Sequence, residues 1–139
     1  MSRRALTAAV FALAVVAAAC GADRDAREPS LSSSFGVVTP DAARETVLGL
    51  CELGSTTDAL TAEATFLDRS HATLHAIAAA VEARDRAAAT DLLEAKQRVE
   101  AAVARDDLPP RFQRDVESLI DATRAALDAL GLRAPACPS

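Results

Sequence analysis

The chain contains no tryptophan and no tyrosine, and its single methionine is the initiator. Four phenylalanines are its only large aromatic side chains. The lack of Trp and Tyr weakens a carbohydrate-stacking role and removes two of the usual anchors of protein interfaces. Without a second methionine, His/Met ligation of a haem is excluded. No C-x-x-C-H segment is present for covalent haem attachment.

Motifs typical of enzymes and of nucleic-acid binding are also missing. The sequence has no G-x-S-x-G, no C-x-x-C, no H-E-x-x-H and no glycine-rich phosphate loop. Its basic residues alternate with acidic ones and form no run. Because binding to a phosphate backbone depends on clustered Lys and Arg, we expect no nucleic-acid partner. The sequence predicts a protein that is not an enzyme.

The first twenty residues have the form of an export signal. Arg3 and Arg4 precede an apolar run over residues 5–19, which ends in small residues directly before Cys20. The segment 17–20, Ala-Ala-Ala-Cys, resembles the lipobox of bacterial lipoproteins. This resemblance implies cleavage of residues 1–19, lipidation of Cys20 (palmitate among the acyl groups) and attachment to the cell membrane.

Other interpretations of this segment remain open. Residues 17–19 also match an A-x-A cleavage site, which predicts a secreted protein without an anchor. An uncleaved membrane helix is disfavoured, because residues 5–19 are shorter than the roughly 20 apolar residues that a span needs. Arg3 and Arg4 are weakly suggestive of a twin-arginine signal.

The cysteine count favours the lipoprotein interpretation. The chain has three cysteines, Cys20, Cys51 and Cys137, and an odd number in an exported protein needs an explanation. If Cys20 carries lipid, the other two remain as a pair in a compartment where disulfides persist. We therefore predict a Cys51–Cys137 disulfide, the alternative being two unrelated buried thiols.

Residues 20–38 are predicted to be the lipidated cysteine and a flexible tether. Their Asp, Arg, Glu, Pro, Ser and Gly residues show little hydrophobic periodicity, so this segment cannot form a core. Removal of the signal, with its two arginines, leaves 13 basic and 20 acidic side chains and a net charge of −7. Such an acidic domain has no polybasic patch for anionic lipid.

Residues 39–139 are predicted to form an all-α domain, a small antiparallel bundle of about four helices closed by the disulfide. Thr39 and Pro40 open the first helix, and Asp85 caps a later one. Gly131 ends the last helix, and Leu132 could cover its end. We predict that Phe66 and Phe112 anchor the core. The buried stripe of the second helix is predicted at these positions: Leu60, Ala64, Leu67, Leu74, Ala78 and Val81.

One group of residues has the spacing of a metal site. Asp68, His71 and His75 lie three and four positions apart, so they fall on neighbouring turns of one helix face. Two imidazoles and a carboxylate can bind a divalent metal. Asp91 or Glu94 on the next helix could add a ligand. Boundary histidines of an amphipathic helix are more often packed or solvated, so we expect no tight metal complex here.

The sequence therefore predicts a membrane-tethered, extracytoplasmic lipoprotein that serves as a non-catalytic interaction or scaffold module for an unknown envelope protein. The alternative is a small metal-binding lipoprotein that uses Asp68, His71 and His75. No cofactor is predicted apart from this possible divalent metal.

Overall fold

Four helices packed side by side form most of the structure. The computed structural model describes residues 31–33 and 36–138. In chain order the elements are β1 (Leu31–Ser33), β2 (Gly36–Val38), α1 (Pro40–Gly54), α2 (Ala59–Phe66), a π-helical turn (Leu67–His71), α3 (Ala72–Glu82), α4 (Arg86–Val103) and α5 (Phe112–Ala129). Helix α2, the π turn and α3 follow without a gap and make one helix. The predicted all-α bundle of about four helices with one disulfide is confirmed.

Two predictions concern residues outside this range. The signal peptide over residues 1–19 and lipidation of Cys20 both lie outside the described residues. Among the helices of residues 31–33 and 36–138, none combines the length and the apolar character needed to cross a membrane.

A short β-hairpin precedes the bundle, which the sequence did not predict. Strands β1 and β2 pair antiparallel, with Leu31 opposite Val38 and Ser33 opposite Gly36. The hairpin packs on α3, and Val38 is fully buried. Residues 31–33 and 36–38, which lie in the segment predicted as tether, are therefore packed on the bundle. Two three-residue strands are too short, and β1 too rich in serine, for a period of two to be recognised.

The helix ends follow the predicted capping signals. Thr39 Oγ1 accepts a hydrogen bond from the Ala42 N–H at 3.1 Å, and Asp85 Oδ1 accepts one from the Ala88 N–H at 3.0 Å. Each cap satisfies an N–H that has no partner within its helix. Asp85 therefore separates α3 from α4, and one continuous helix from residue 58 to residue 105 is excluded.

The last helix ends as Gly131 predicts. Gly131 has a φ of +76°, a left-handed conformation that glycine adopts without strain. Its N–H donates to the Asp128 carbonyl at 2.8 Å, and the Leu132 N–H donates to the Leu127 carbonyl at 2.9 Å. This is the Schellman pattern, and buried Leu132 covers the end of the helix.

The predicted anchors of the core are confirmed, since Phe66 and Phe112 are both buried. The second half of the predicted stripe is confirmed, since these residues are buried: Leu74, Ala78 and Val81. The first half is wrong, because Leu60 is 78% exposed and Leu67 50% exposed, whereas Ala62 is fully buried. The cause is the π turn, whose i→i+5 bonding places more residues in a turn than an α-helix does. Side chains before and after it therefore do not share one α-helical register.

The Cys51–Cys137 disulfide joins α1 to the C-terminal tail. Its Cα atoms are 5.4 Å apart, within the usual range for a disulfide. The sequence separation is 86 residues, so the bond restricts most of the domain in the unfolded state. The chain-entropy model gives about 4–5 kcal/mol of stabilisation for a loop of this length.

Candidate metal centre

The two histidines lie side by side at the junction of the π turn and α3. His71 is the last residue of the π turn, and His75 follows one helical turn later. Their ring centroids are 5.0 Å apart, and the rings meet edge to face. Phe66 packs against His71 with a centroid distance of 5.7 Å. The predicted placement of the two imidazoles on one helix face is therefore correct.

A carboxylate from the neighbouring helix completes a group of three possible ligands. His71 Nε2 lies 2.8 Å from Glu100 Oε1 on α4. The ligand atoms of His71, His75 and Glu100 all lie within 4.8 Å of one another, and all three residues are half-buried. Two imidazole nitrogens and a carboxylate oxygen form a donor set that zinc and copper accept.

Lys96 contacts the same carboxylate oxygen of Glu100 as His71 does. Its Nζ donates to Glu100 Oε1 at 2.5 Å, and its side chain is only 3% exposed. Lys96 is the only lysine in the chain. It lies between Leu92 and Val99, at a position of α4 that the helical period turns towards the core. Lysine is almost never fully buried unless it is paired, and here Glu100 is the partner.

These contacts shift the protonation of the group. Burial raises the pKa of Glu100, but the hydrogen bond and charge of Lys96, with a contribution from His71, lower it by more, so the net shift is downward. The pKa of His75 is lowered from its ordinary value of 6.5, first by burial and then by the charges of Lys96 and His71, against an opposing effect of Glu100. Near neutral pH, Glu100 is therefore ionised and His75 is neutral.

The carboxylates suggested by the sequence lie elsewhere. Asp68 is exposed and is not a member of the group, although it lies three residues before His71. Spacing of three places residues on one face only in an α-helix, and residues 67–71 form a π turn. Asp91 and Glu94 are also exposed and outside the group.

Sequence analysis did not single out Lys96 or Glu100 among the polar residues of α4. For Lys96 a signal was available, because it occupies the core-facing position of the helical period between the apolar residues Leu92 and Val99. For Glu100 no such signal was available. Which of the acids on α4 lies beside His71 depends on the offset of the two packed helices along their axes. Sequence periodicity does not contain this quantity.

The π turn meets helix α1 through a second ionic contact. Arg69 donates to Glu52 Oε2 at 2.5 Å and to Glu45 Oε2 at 3.2 Å, and all three side chains are largely exposed. Gly49 allows this approach, because a Cβ there would lie 2.8 Å from Arg69 Cβ. Ser70 Oγ, also close to Gly49, donates to a backbone carbonyl of α1 at 3.3 Å.

A groove runs along α3 and α4 next to the histidines. Its volume is about 340 Å³, and His75 forms part of its wall. The other lining residues are Ala78, Ala79, Glu82, Arg86, Ala89, Thr90 and Leu93. The groove gives solvent and small solutes a route to His75.

Comparison with known proteins identifies the domain but no characterised relative. Neither the curated proteins nor the solved structures contain a match. A family model for the Rv2240c four-helix bundle domain matches residues 32–137. This range covers the hairpin except Leu31, the four helices and both cysteines of the disulfide. The chain therefore belongs to the Rv2240c four-helix bundle domain family.

Proposed function

We propose that this protein is a lipid-anchored, extracytoplasmic module that acts without catalysis by binding another protein of the cell envelope. The observation that carries the proposal is an exposed apolar stripe along α2 and the first residue of the π turn. It is formed by Leu60, Ala64 and Leu67 and is called the α2 stripe below. Leu60 and Leu67 are two of the four large apolar side chains that the described residues expose. The three residues of the stripe are four and three positions apart. This spacing is typical of a helix face that binds in an apolar groove of a partner.

The proposed location rests on the cysteines. A disulfide between Cys51 and Cys137 suits a compartment outside the cytoplasm, where such bonds persist. With these two paired, Cys20 is the remaining cysteine, directly after small residues at the end of an apolar run. Eleven residue steps separate Cys20 from Leu31. The domain would therefore lie within about 40 Å of its anchor.

The charges around the α2 stripe indicate the chemistry of the partner. Asp58 and Glu63 on α2 and Asp68 in the π turn are exposed. Arg69, the nearest cation in sequence, pairs with two glutamates of α1. An acidic rim is repelled by anionic lipid and attracts basic side chains. We therefore assign the stripe to a protein surface with an apolar patch and a basic rim.

The anchoring half of the proposal is tested by mass spectrometry of the mature protein and by fractionation of cells. We expect a chain that begins at Cys20 carrying lipid and that fractionates with membranes, whereas Cys20→Ala should release the protein or leave the precursor uncut. A start at another residue, or an unmodified Cys20, contradicts the anchor; a soluble chain cut after Ala19 would support the secreted alternative.

The binding half is tested with a photo-crosslinking amino acid at Leu67 in cells, and with the same amino acid at Glu117, an exposed position of α5, as the control. We expect a discrete protein adduct from position 67 only, and its loss when Leu60→Glu is added. Equal labelling from both positions, labelling of lipid, or an adduct with a second copy of this chain would overturn the assignment of the α2 stripe to an envelope partner.

A further inference from the structure

We propose that His71, His75 and Glu100 bind one transition-metal ion, Zn²⁺ or Cu²⁺, and that Lys96 holds the carboxylate until the metal displaces it. This site is independent of the α2 stripe, so its failure would leave the proposed binding role intact. It also replaces Asp68 with Glu100 as the acidic ligand.

The donor set favours these two metals. Imidazole nitrogen suits zinc, copper and nickel, while an oxygen-rich set suits magnesium and calcium. His71 and His75 supply two nitrogens, and Glu100 supplies one oxygen. Three protein ligands leave a coordination position for water or another exchangeable ligand, as in zinc sites that are not purely structural.

The distances require only a small rearrangement of side chains. Ligand atoms in a tetrahedral zinc shell lie roughly 3.4 Å apart, given metal–ligand bonds of about 2.0–2.1 Å. The three candidate ligand atoms already lie within 4.8 Å of one another. His71 Nε2 and Glu100 Oε1, at 2.8 Å, have to separate slightly, which rotation of the one-third exposed Glu100 side chain can supply. Rotation of the His75 imidazole adjusts the remaining separations, so no helix backbone has to move.

The packing around the candidate ligands restricts their positions. His71 is held between the rings of Phe66 and His75, and it belongs to a π turn, a feature that occurs frequently at functional sites. The groove along α3 and α4 reaches His75, so an ion can approach from solvent.

Lys96 makes the site selective for cations that bind tightly enough to replace it. Its ammonium is a positive charge on the oxygen that the metal needs, and the two cations repel each other at this distance. Metal binding therefore has to push Lys96 away from Glu100. Removal of this charge should increase metal affinity, which is a gain that misfolding cannot mimic.

The test is calorimetric titration of Zn²⁺ and of Cu²⁺ into the mature chain without an affinity tag, with Cys20→Ser in every sample to remove a free thiol. We expect one ion per chain. His71→Ala and His75→Ala should each weaken binding at least about tenfold, because an incomplete ligand set binds poorly. Glu100→Gln should weaken it as well. Lys96→Met should strengthen it by about tenfold or more, since it removes a nearby unit charge.

Asp68→Asn and Glu94→Gln are the matched controls, because both residues are exposed acids near the site and outside the group. Both should bind metal like the wild type. The proposal is overturned if neither the wild type nor Lys96→Met takes up a stoichiometric ion, if either histidine variant binds normally, or if Asp68→Asn loses binding as strongly as Glu100→Gln.

Discussion

Arg69 and His71 lie two residues apart in the same π turn, and each contacts a carboxylate of a different helix. Arg69 reaches Glu52 on α1, and both side chains are largely exposed at 39% and 54%. His71 contacts Glu100 on α4. Glu100 also pairs with Lys96, whose side chain is 3% exposed. One turn of helix thus presents a solvated ion pair to one neighbour and, to the other, an ionic cluster whose lysine is buried and whose histidine and glutamate are one-third exposed.

This difference in burial separates two roles. Exposed ion pairs contribute little to stability, because water screens the charges and the side chains lose entropy. Charges withdrawn from water depend strongly on their partners and have shifted pKa values. The α1 side of the π turn therefore serves as a positioning contact, and the α4 side has the properties of a chemical site.

The largest expected effect breaks the buried cluster by removing its acid. Glu100→Ala leaves the Lys96 ammonium buried without a carboxylate, so we expect a loss of about 2–3 kcal/mol in the free energy of unfolding. Lys96→Met replaces the charge with an apolar side chain of similar shape, and stability should stay within about 1 kcal/mol of the wild type or increase. Urea unfolding with a chelator present measures both. Equal losses in the two variants would contradict the assigned asymmetry.

The next effect concerns the close approach on the α1 side. Gly49→Ala gains helix propensity, but its Cβ would lie 2.8 Å from Arg69 Cβ, which is fixed to the backbone. We expect a net destabilisation of about 1–2 kcal/mol, measured by thermal and urea unfolding. Gly54→Ala is the control, because its Cβ would make an ordinary 3.5 Å contact with Val116. A Gly49→Ala variant as stable as Gly54→Ala would show that the two helices can separate at little cost.

The buried cluster should also make stability depend on pH in two windows. The pKa of His75 is lowered from 6.5, so the unfolded chain binds more protons, and stability falls as the pH drops below about 6.5. The pKa of Glu100 is lowered from 4.5, so its contribution is present above that pH and is lost below it. Urea unfolding in metal-free buffers should show both windows, and His75→Gln should remove the upper one. An unchanged profile in His75→Gln would refute the assignment.

The smallest effect is expected at the exposed pair. Arg69→Met keeps the packing of the side-chain stem and removes the charge, so the free energy of unfolding should fall by no more than about 1 kcal/mol. The difference from the wild type should shrink further in about 0.5 M salt, because exposed charges are screened. Stability curves at two salt concentrations decide this, and a large loss that salt does not reduce would mean that the contact is not a surface pair.

Local signals in the sequence were sufficient for most of the fold. Thr39, Asp85 and Gly131 each act through the backbone of their own neighbourhood, so the helix ends could be predicted one by one. The disulfide followed from counting cysteines, together with the expectation that the chain is exported. These features depend on few residues and on no knowledge of how helices pack.

The errors arose where packing overrides periodicity. Leu60 and Leu67 match one α-helical stripe with the buried residues of α3, but the π turn interrupts that register, so both are exposed and Ala62 is buried instead. The acid beside the histidines depends on which turn of α4 lies next to His71. That is decided by how the two helices pack against each other. A pair of histidines on one helix could be found from sequence, whereas their acidic partner required the structure.

The central claim is that the two sides of the π turn differ in chemistry, and nitrogen-15 NMR of the side chains during addition of Zn²⁺ tests it most directly. We predict that the ring nitrogens of His71 and His75 shift in proportion to zinc and stop at one equivalent, while Arg69 Nε and the Gly49 amide stay in place. Imidazole signals that do not respond to zinc, or an Arg69 signal that moves together with them, would contradict the account.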